Sequence, residues 1–200
     1  MIGNQRWRIS VLGCAALVFV LVGCRPVPTA PETDGVIDRT YSNADWGFSI
    51  SAPPDSAWSL SATQFIAQRE PNGLSPVQVI LRRINPGSPS RPVLLLSSFG
   101  VSQTTLLDDV VASFESLFAT DFLNYNPQGP KSERSVGGVP SIEWRFFARE
   151  PQSGIHYLNN RFLSFVFLRD NQIYQVICSA QAEEFPESEF RSILSTFEFH

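Results

Sequence analysis

The chain has 200 residues, with 15 Lys and Arg against 19 Asp and Glu, a formal charge of -4, and 16 Phe beside only two His. That balance offers no basic field to a phosphate backbone, so nucleic acid is excluded as a partner. The length admits one domain with a sizeable core and is short for two.

Residues 1–8 carry Arg6 and Arg8 and no acid, and a mostly apolar run from Ile9 to Val22 is closed by Gly23 and Cys24. A charged start, an apolar middle and a small residue at the end is the order of a secretory signal. A hydrocarbon core of ~30 Å needs about 20 apolar residues in a helix, so the run is short for a permanent span. Arg25 and Pro26 stop it. Leu21-Val22-Gly23-Cys24 resembles the lipobox of bacterial lipoproteins. The resemblance implies cleavage between Gly23 and Cys24 and a palmitate-type diacylglyceryl anchor on the Cys24 thiol. The residue types suit that chemistry, since a small residue admits the peptidase to the backbone and only a thiol accepts the lipid. Val11-Leu12-Gly13-Cys14 has the same pattern, but only Ile9 and Ser10 separate it from the charged start. Arg25 rather than Asp behind the cysteine resembles, in diderm bacteria, the signal for transfer to the outer membrane.

Residues 1–23 are therefore expected to be a signal peptide and residues 24–40, with Pro26, Pro28 and Pro31, a solvated tether. At ~3.1 Å per residue such a tether reaches about 50 Å. Two acyl chains, at ~0.8 kcal/mol per buried methylene, make attachment stable. The expected location is outside the cell, anchored to the cell membrane or outer membrane, with the domain facing the periplasm or the exterior. Cys14 leaves with the signal and Cys24 is capped, so Cys178 has no partner for a disulfide. It is expected as a small buried apolar residue inside "IYQVICSA".

Residues 41–200 are expected to form one domain. Trp46, Phe48 and Ile50 alternate with small residues at strand period, and Pro53-Pro54 ends the strand. Phe65 to Arg69, Val77 to Ile84 and Val93 to Phe99 read as further strands, with a loop from Asn85 to Pro92. The period then changes: Leu106, Leu107, Val110, Val111, Phe114, Leu117 and Phe118 form a helical stripe. Thr105 with Asp108 has the spacing of a capping box, and Asp108 and Asp109 suit the positive end of the dipole. Ser132 to Val136 and Val139 to Arg149 read as a hairpin turned by Gly137-Gly138, with Ile142, Trp144, Phe146 and Ala148 inward and Glu143, Arg145 and Arg149 outward. Arg161 to Leu168 is apolar on both faces and requires cover on both. Gln172 to Ala180 is its neighbour, and a last helix starting near Pro186 buries Phe190, Ile193 and Leu194.

These elements predict an α+β, single-domain α/β/α sandwich with a central, largely antiparallel sheet flanked by helices. "YSNADWGFSISAPPDSAW" resembles the opening of PsbP-like domains, and "GGVPSIEWRF" with "NQIYQVICSAQAEEFPESEFRSILSTFEF" resembles their closing half, where Ser195-Thr196-Phe197 stands for the family's Ser-Phe ending. The resembling positions are aromatic, Gly and Pro residues that build a fold. The family spans a photosystem extrinsic subunit, a Ran-binding import factor and many bacterial lipoproteins, and the resemblance implies docking to a larger protein. The spacing from Pro53 to Trp58 is longer than in the family. A single lysine, Lys131, contrasts with the lysine-assisted docking of the photosystem subunit.

No enzyme is expected. His156 and His200 stand in no metal-binding frame, so neither a metal nor another cofactor is expected. There is no G-x-S-x-G elbow, and Ser153-Gly154 reads as a hairpin tip. Gly137-Gly138 has no following helix to cradle a phosphate, and Glu183-Glu184 suits a helix entry better than an acid–base pair. The expected function is that of a non-enzymatic accessory or scaffold lipoprotein, bound to a membrane through Cys24 and to an unidentified protein partner. The alternatives are a small-ligand-binding lipoprotein, with a pocket lined by Phe146, Phe165 or Phe114, and a photosystem assembly factor.

Overall fold

The computed structural model describes residues 36–54, 57–65, 74–83, 91–149 and 159–200. The expected signal peptide, the lipobox-like Leu21–Cys24 with its expected cleavage and lipidation at Gly23 and Cys24, and most of the expected tether lie outside the described residues, as do His156 and Ser153-Gly154. Among the described residues no helix is long and apolar enough to cross a membrane.

Two antiparallel sheets form the frame. The small one orders β1 (Val36–Ile37), β2 (Thr40–Asn43), β3 (Phe48–Ser51) and the last strand, β12 (Glu198–Phe199). The wide one orders β4 (Trp58–Gln64), β5 (Val77–Arg83), β6 (Val93–Gly100), β11 (Gln172–Gln181), β10 (Asn159–Arg169), β9 (Val139–Arg149) and β7 (Leu123–Pro127), with β8 (Ser132–Val136) also paired to β9. Two α-helices, α1 (Leu107–Asp121) and α2 (Glu187–Leu194), complete the described elements with a short 3-10 turn at Ala182–Glu184. Pairing of the small sheet begins at Val36, inside the segment read as tether.

The expected α/β/α sandwich is not the architecture. Among the described residues α1 covers one face of the wide sheet, while the small sheet and the short α2 cover the other. Alternation identifies Phe48 and Ile50 as strand residues but carries no information on which sheet they join. Phe199 returns to pair with Phe48, and the terminal strands so complete a second sheet where a second helical layer was expected.

Strand β10 explains why both faces need cover. Leu163, Phe165 and Phe167 enter a core with Phe48, Ile50, Tyr174, Phe190 and Phe197. Phe162 and Val166 enter the other, with Phe114, Phe118, Trp144 and Phe146. Phe146 stacks on Phe162 across the β9–β10 pair at 4.6 Å between centroids, and Phe118 closes over Phe146 at 5.2 Å. Such ring pairs add about 0.5–1.5 kcal/mol beyond their area burial.

Local departures have local causes. The cap of α1 is Leu106, whose side chain is 64% exposed because it precedes the first helical residue and so lies off the buried stripe. No side chain caps that helix; the Thr105 hydroxyl pairs with Ser102 at 3.1 Å, so the Thr105–Asp108 box does not form. Trp58–Gln64 forms a strand that the sequence reading does not place, and Phe65 follows it with its N–H on the Pro76 carbonyl. The rest of the strand expected from Phe65 to Arg69 lies outside the described residues. Trp144, Phe146 and Ala148 face inward as expected, but Glu143 is buried rather than outward.

Gly137 and Gly138 turn the β8–β9 hairpin at φ +56° and +79°. A Cβ on Gly137 would stand 2.8 Å from Cδ1 of Phe197, whereas one on Gly138 would meet nothing within 4 Å. Alanine at either site carries the left-handed penalty of about 1–2 kcal/mol. Gly137→Ala is therefore expected to lower the melting temperature several degrees further than Gly138→Ala, as thermal denaturation of the two variants would show.

Candidate functional site

Because side chains alternate along a strand, Ser141, Glu143 and Arg145 of β9 share the face opposite α1. Helix α2 lies over that face, and Glu187 and Arg191, one helical turn apart, meet on it. Glu143 is only 2% exposed. Arg191 grips it through both terminal nitrogens, Nη1 to Oε2 at 3.1 Å and Nη2 to Oε1 at 3.0 Å. The same guanidinium donates to Glu187 Oε1 from Nε at 3.1 Å and from Nη2 at 2.8 Å. Arg145 bridges both acids at 3.2 Å and 2.9 Å, Arg161 reaches Glu187 Oε2 at 3.2 Å, and Arg134 Nε reaches Glu143 Oε2 at 3.3 Å.

Burying the Glu143 carboxylate costs several kcal/mol of hydration, which the two-point grip and the neighbouring guanidiniums offset. Glu143 raises the Arg191 pKa, against the effect of burial, and Glu187 raises it further. Burial would raise the Glu187 carboxyl, but the hydrogen bonds of Arg191 and the charges of Arg145, Arg191 and Arg161 together hold it below its ordinary value. The other side of α2 is tied to the first strands of the wide sheet: Trp58 Nε1 donates to Glu189 Oε2 at 2.9 Å, and Arg83 pairs with the same carboxylate.

A cavity of about 300 Å³ opens beside this cluster, between the β8–β9 hairpin and the end of α2. Arg134, Gly137 and Gly138 form one side, Arg191, Leu194 and Ser195 the other, with Phe165 and Phe197 among the lining. The four guanidiniums of the cluster outnumber its two carboxylates, so the neighbourhood is locally cationic in an acidic chain.

The residues singled out in the sequence are scattered. Cys178 is buried in β11 with its thiol pKa pushed up by burial, the opposite of an activated nucleophile. His200 ends the small sheet, its ring nitrogen 3.4 Å from the Ser42 hydroxyl and its N–H on the Gly47 carbonyl. Glu183 and Glu184 stand in the 3-10 turn before α2. Phe114 and Phe146 belong to the core under α1 and Phe165 to the opposite one, so the three do not line a common pocket. No cluster of His, Cys, Asp or Glu that could hold a metal occurs among the described residues. Arg134, Glu143, Glu187 and Arg191 were not anticipated as a group. The Glu187/Arg191 spacing was the available signal for part of it; the contact with Glu143 spans residues far apart in the chain.

No family model matches the chain, and no curated protein matches it. The likeness is one of fold: the domain is PsbP-like. It is similar to the solution structure of cyanobacterial PsbP (CyanoP) from Synechocystis sp. PCC 6803, at 14% identity and a TM-score of 0.51, covering 86% of this chain and 99% of that one. It is also similar to LpqN of Mycobacterium tuberculosis, described as involved in cell envelope biogenesis, at 11% identity and a TM-score of 0.46, covering 86% of each chain.

The lowered Glu187 carboxyl fixes the sign of an acid response. The unfolded chain binds the proton more readily, so the Glu187 contribution is complete above the ordinary value of 4.5 and is lost as pH falls through the lowered native value. Urea midpoints measured from neutral pH downward are expected to fall less steeply in Glu187→Gln than in the parent chain.

Proposed function

We propose that the protein is an exported lipoprotein of a bacterial envelope, held to its membrane by a lipid on Cys24 after cleavage behind Gly23, and that it works without catalysis as an accessory or scaffold protein docking to a larger membrane-associated assembly. The observation that carries the reading is the order of the chain: a lipobox and a proline-rich segment stand ahead of a PsbP-like domain. With Val36 already paired in the small sheet, the segment from Arg25 to Gly35, at ~3.1 Å per residue, reaches about 34 Å and lets the domain contact an assembly that stands off the bilayer. Ion pairs and ring contacts that lock α2 to the wide sheet give such a docking domain a rigid surface, which lowers the ordering cost of association.

A second reading, a lipoprotein that binds a small ligand, is favoured by the cavity beside Arg134. It is compatible with the same anchor.

The anchor is tested by Cys24→Ser, which is expected to abolish palmitate incorporation and to release the protein from membranes. Labelling that persists in Cys24→Ser would overturn the cleavage site and turn attention to Cys14. Docking is tested by affinity capture of the tagged full-length protein from gently solubilised native membranes, with Cys24→Ser as the control. Recovery of one large complex with the lipidated form is expected; recovery of nothing specific would contradict docking.

A further inference from the structure

We propose that the cavity between the β8–β9 hairpin and the end of α2 binds a small organic carboxylate with an apolar body, and that Arg134 is its anion-binding residue. The inference rests on the second, ligand-binding reading and stands apart from docking, since anchor and partner can fail while the cavity still binds.

Three features assign the charge of the ligand. Arg134, a lining residue with its side chain 52% exposed, spends only Nε on Glu143, and its terminal nitrogens donate to none of the described residues, so one edge of its guanidinium fork is unused. Both oxygens of Glu143 are already engaged, Oε1 by Arg145 and Arg191 and Oε2 by Arg134 and Arg191, and neither Glu143 nor Glu187 lines the cavity. The end of α2 would ordinarily turn bare carbonyls toward such a space and repel an anion. Here those of Arg191, Ser192, Ile193 and Leu194 accept bonds from the Ser195 N–H, the Ser195 hydroxyl, the Thr196 N–H and hydroxyl, and the Phe197 N–H.

Shape and polarity assign the rest. The volume of about 300 Å³ is that of a small-molecule site at its lower limit. Phe165, Leu194 and Phe197 offer apolar wall, and Gly138 leaves space that a side chain would occupy. A planar two-oxygen anion matches the single free fork. A phosphate dianion would call for a second unspent cation, and Arg191 is committed to the two carboxylates.

Isothermal titration calorimetry of the purified full-length protein in detergent, blanked against detergent alone, tests this with phenylacetate, phenylacetamide and inorganic phosphate. Saturable binding of phenylacetate is expected, weaker by about ten-fold or more for phenylacetamide and for Arg134→Gln, as the loss of one charge-assisted pair requires. Arg134→Lys should recover part of the loss. Arg149→Gln, at the far end of β9 and outside the cavity, should bind as the parent does. Equal affinity for acid and amide, unchanged binding in Arg134→Gln, phosphate binding in place of phenylacetate, or no heat with any probe would each overturn the assignment.

Discussion

A carboxylate buried on a sheet and a guanidinium arriving from a helix form the contact on which this domain's closing half depends. Glu143 belongs to β9 and Arg191 to α2, 48 residues later, and their two-point pairing fixes where the last helix lies. Removing Arg191 would leave the buried Glu143 carboxylate to Arg134 and Arg145 alone, with about 3–5 kcal/mol, the cost of breaking a fully buried pair, as the upper bound. Arg191, with its side chain 36% exposed and still paired to Glu187, would lose less without Glu143. The position of α2 in turn carries Phe190, Ile193 and Leu194 into the core between the sheets and delivers the chain to β12, where Phe199 pairs with Phe48.

The second constraint is β10. A strand apolar on both faces is stable only between two covers, and the chain supplies two of different kinds. One is the striped helix α1; the other is a four-stranded sheet assembled from both ends of the domain. Rigid cover on both faces leaves the β8–β9 hairpin to project beside the end of α2, and the cavity is the gap between them.

Much of the secondary structure was legible because the signals were local. The stripe of α1, the Gly137-Gly138 turn, the two-faced β10 and the helix after Pro186 each follow from a period or a single turn residue. The second sheet was not legible, because β12 has two residues and pairs with a strand some 150 positions earlier. Glu143 was read as outward for a related reason. Alternation separates the two faces of a strand but cannot say that the polar-looking face is also covered. With Glu143 hidden in this way, the arginine cluster and the cavity beside it could be found only in three dimensions.

The most direct test is a double-mutant cycle between Glu143→Gln and Arg191→Met, read by urea unfolding at neutral pH. If the pair pins α2 to the wide sheet, the two changes are strongly non-additive, with a coupling of about 2 kcal/mol or more, toward the upper end of the range for contacting residues. Single-variant losses that simply add, within about 0.5 kcal/mol, would contradict the account and leave the placement of α2 to its apolar face alone.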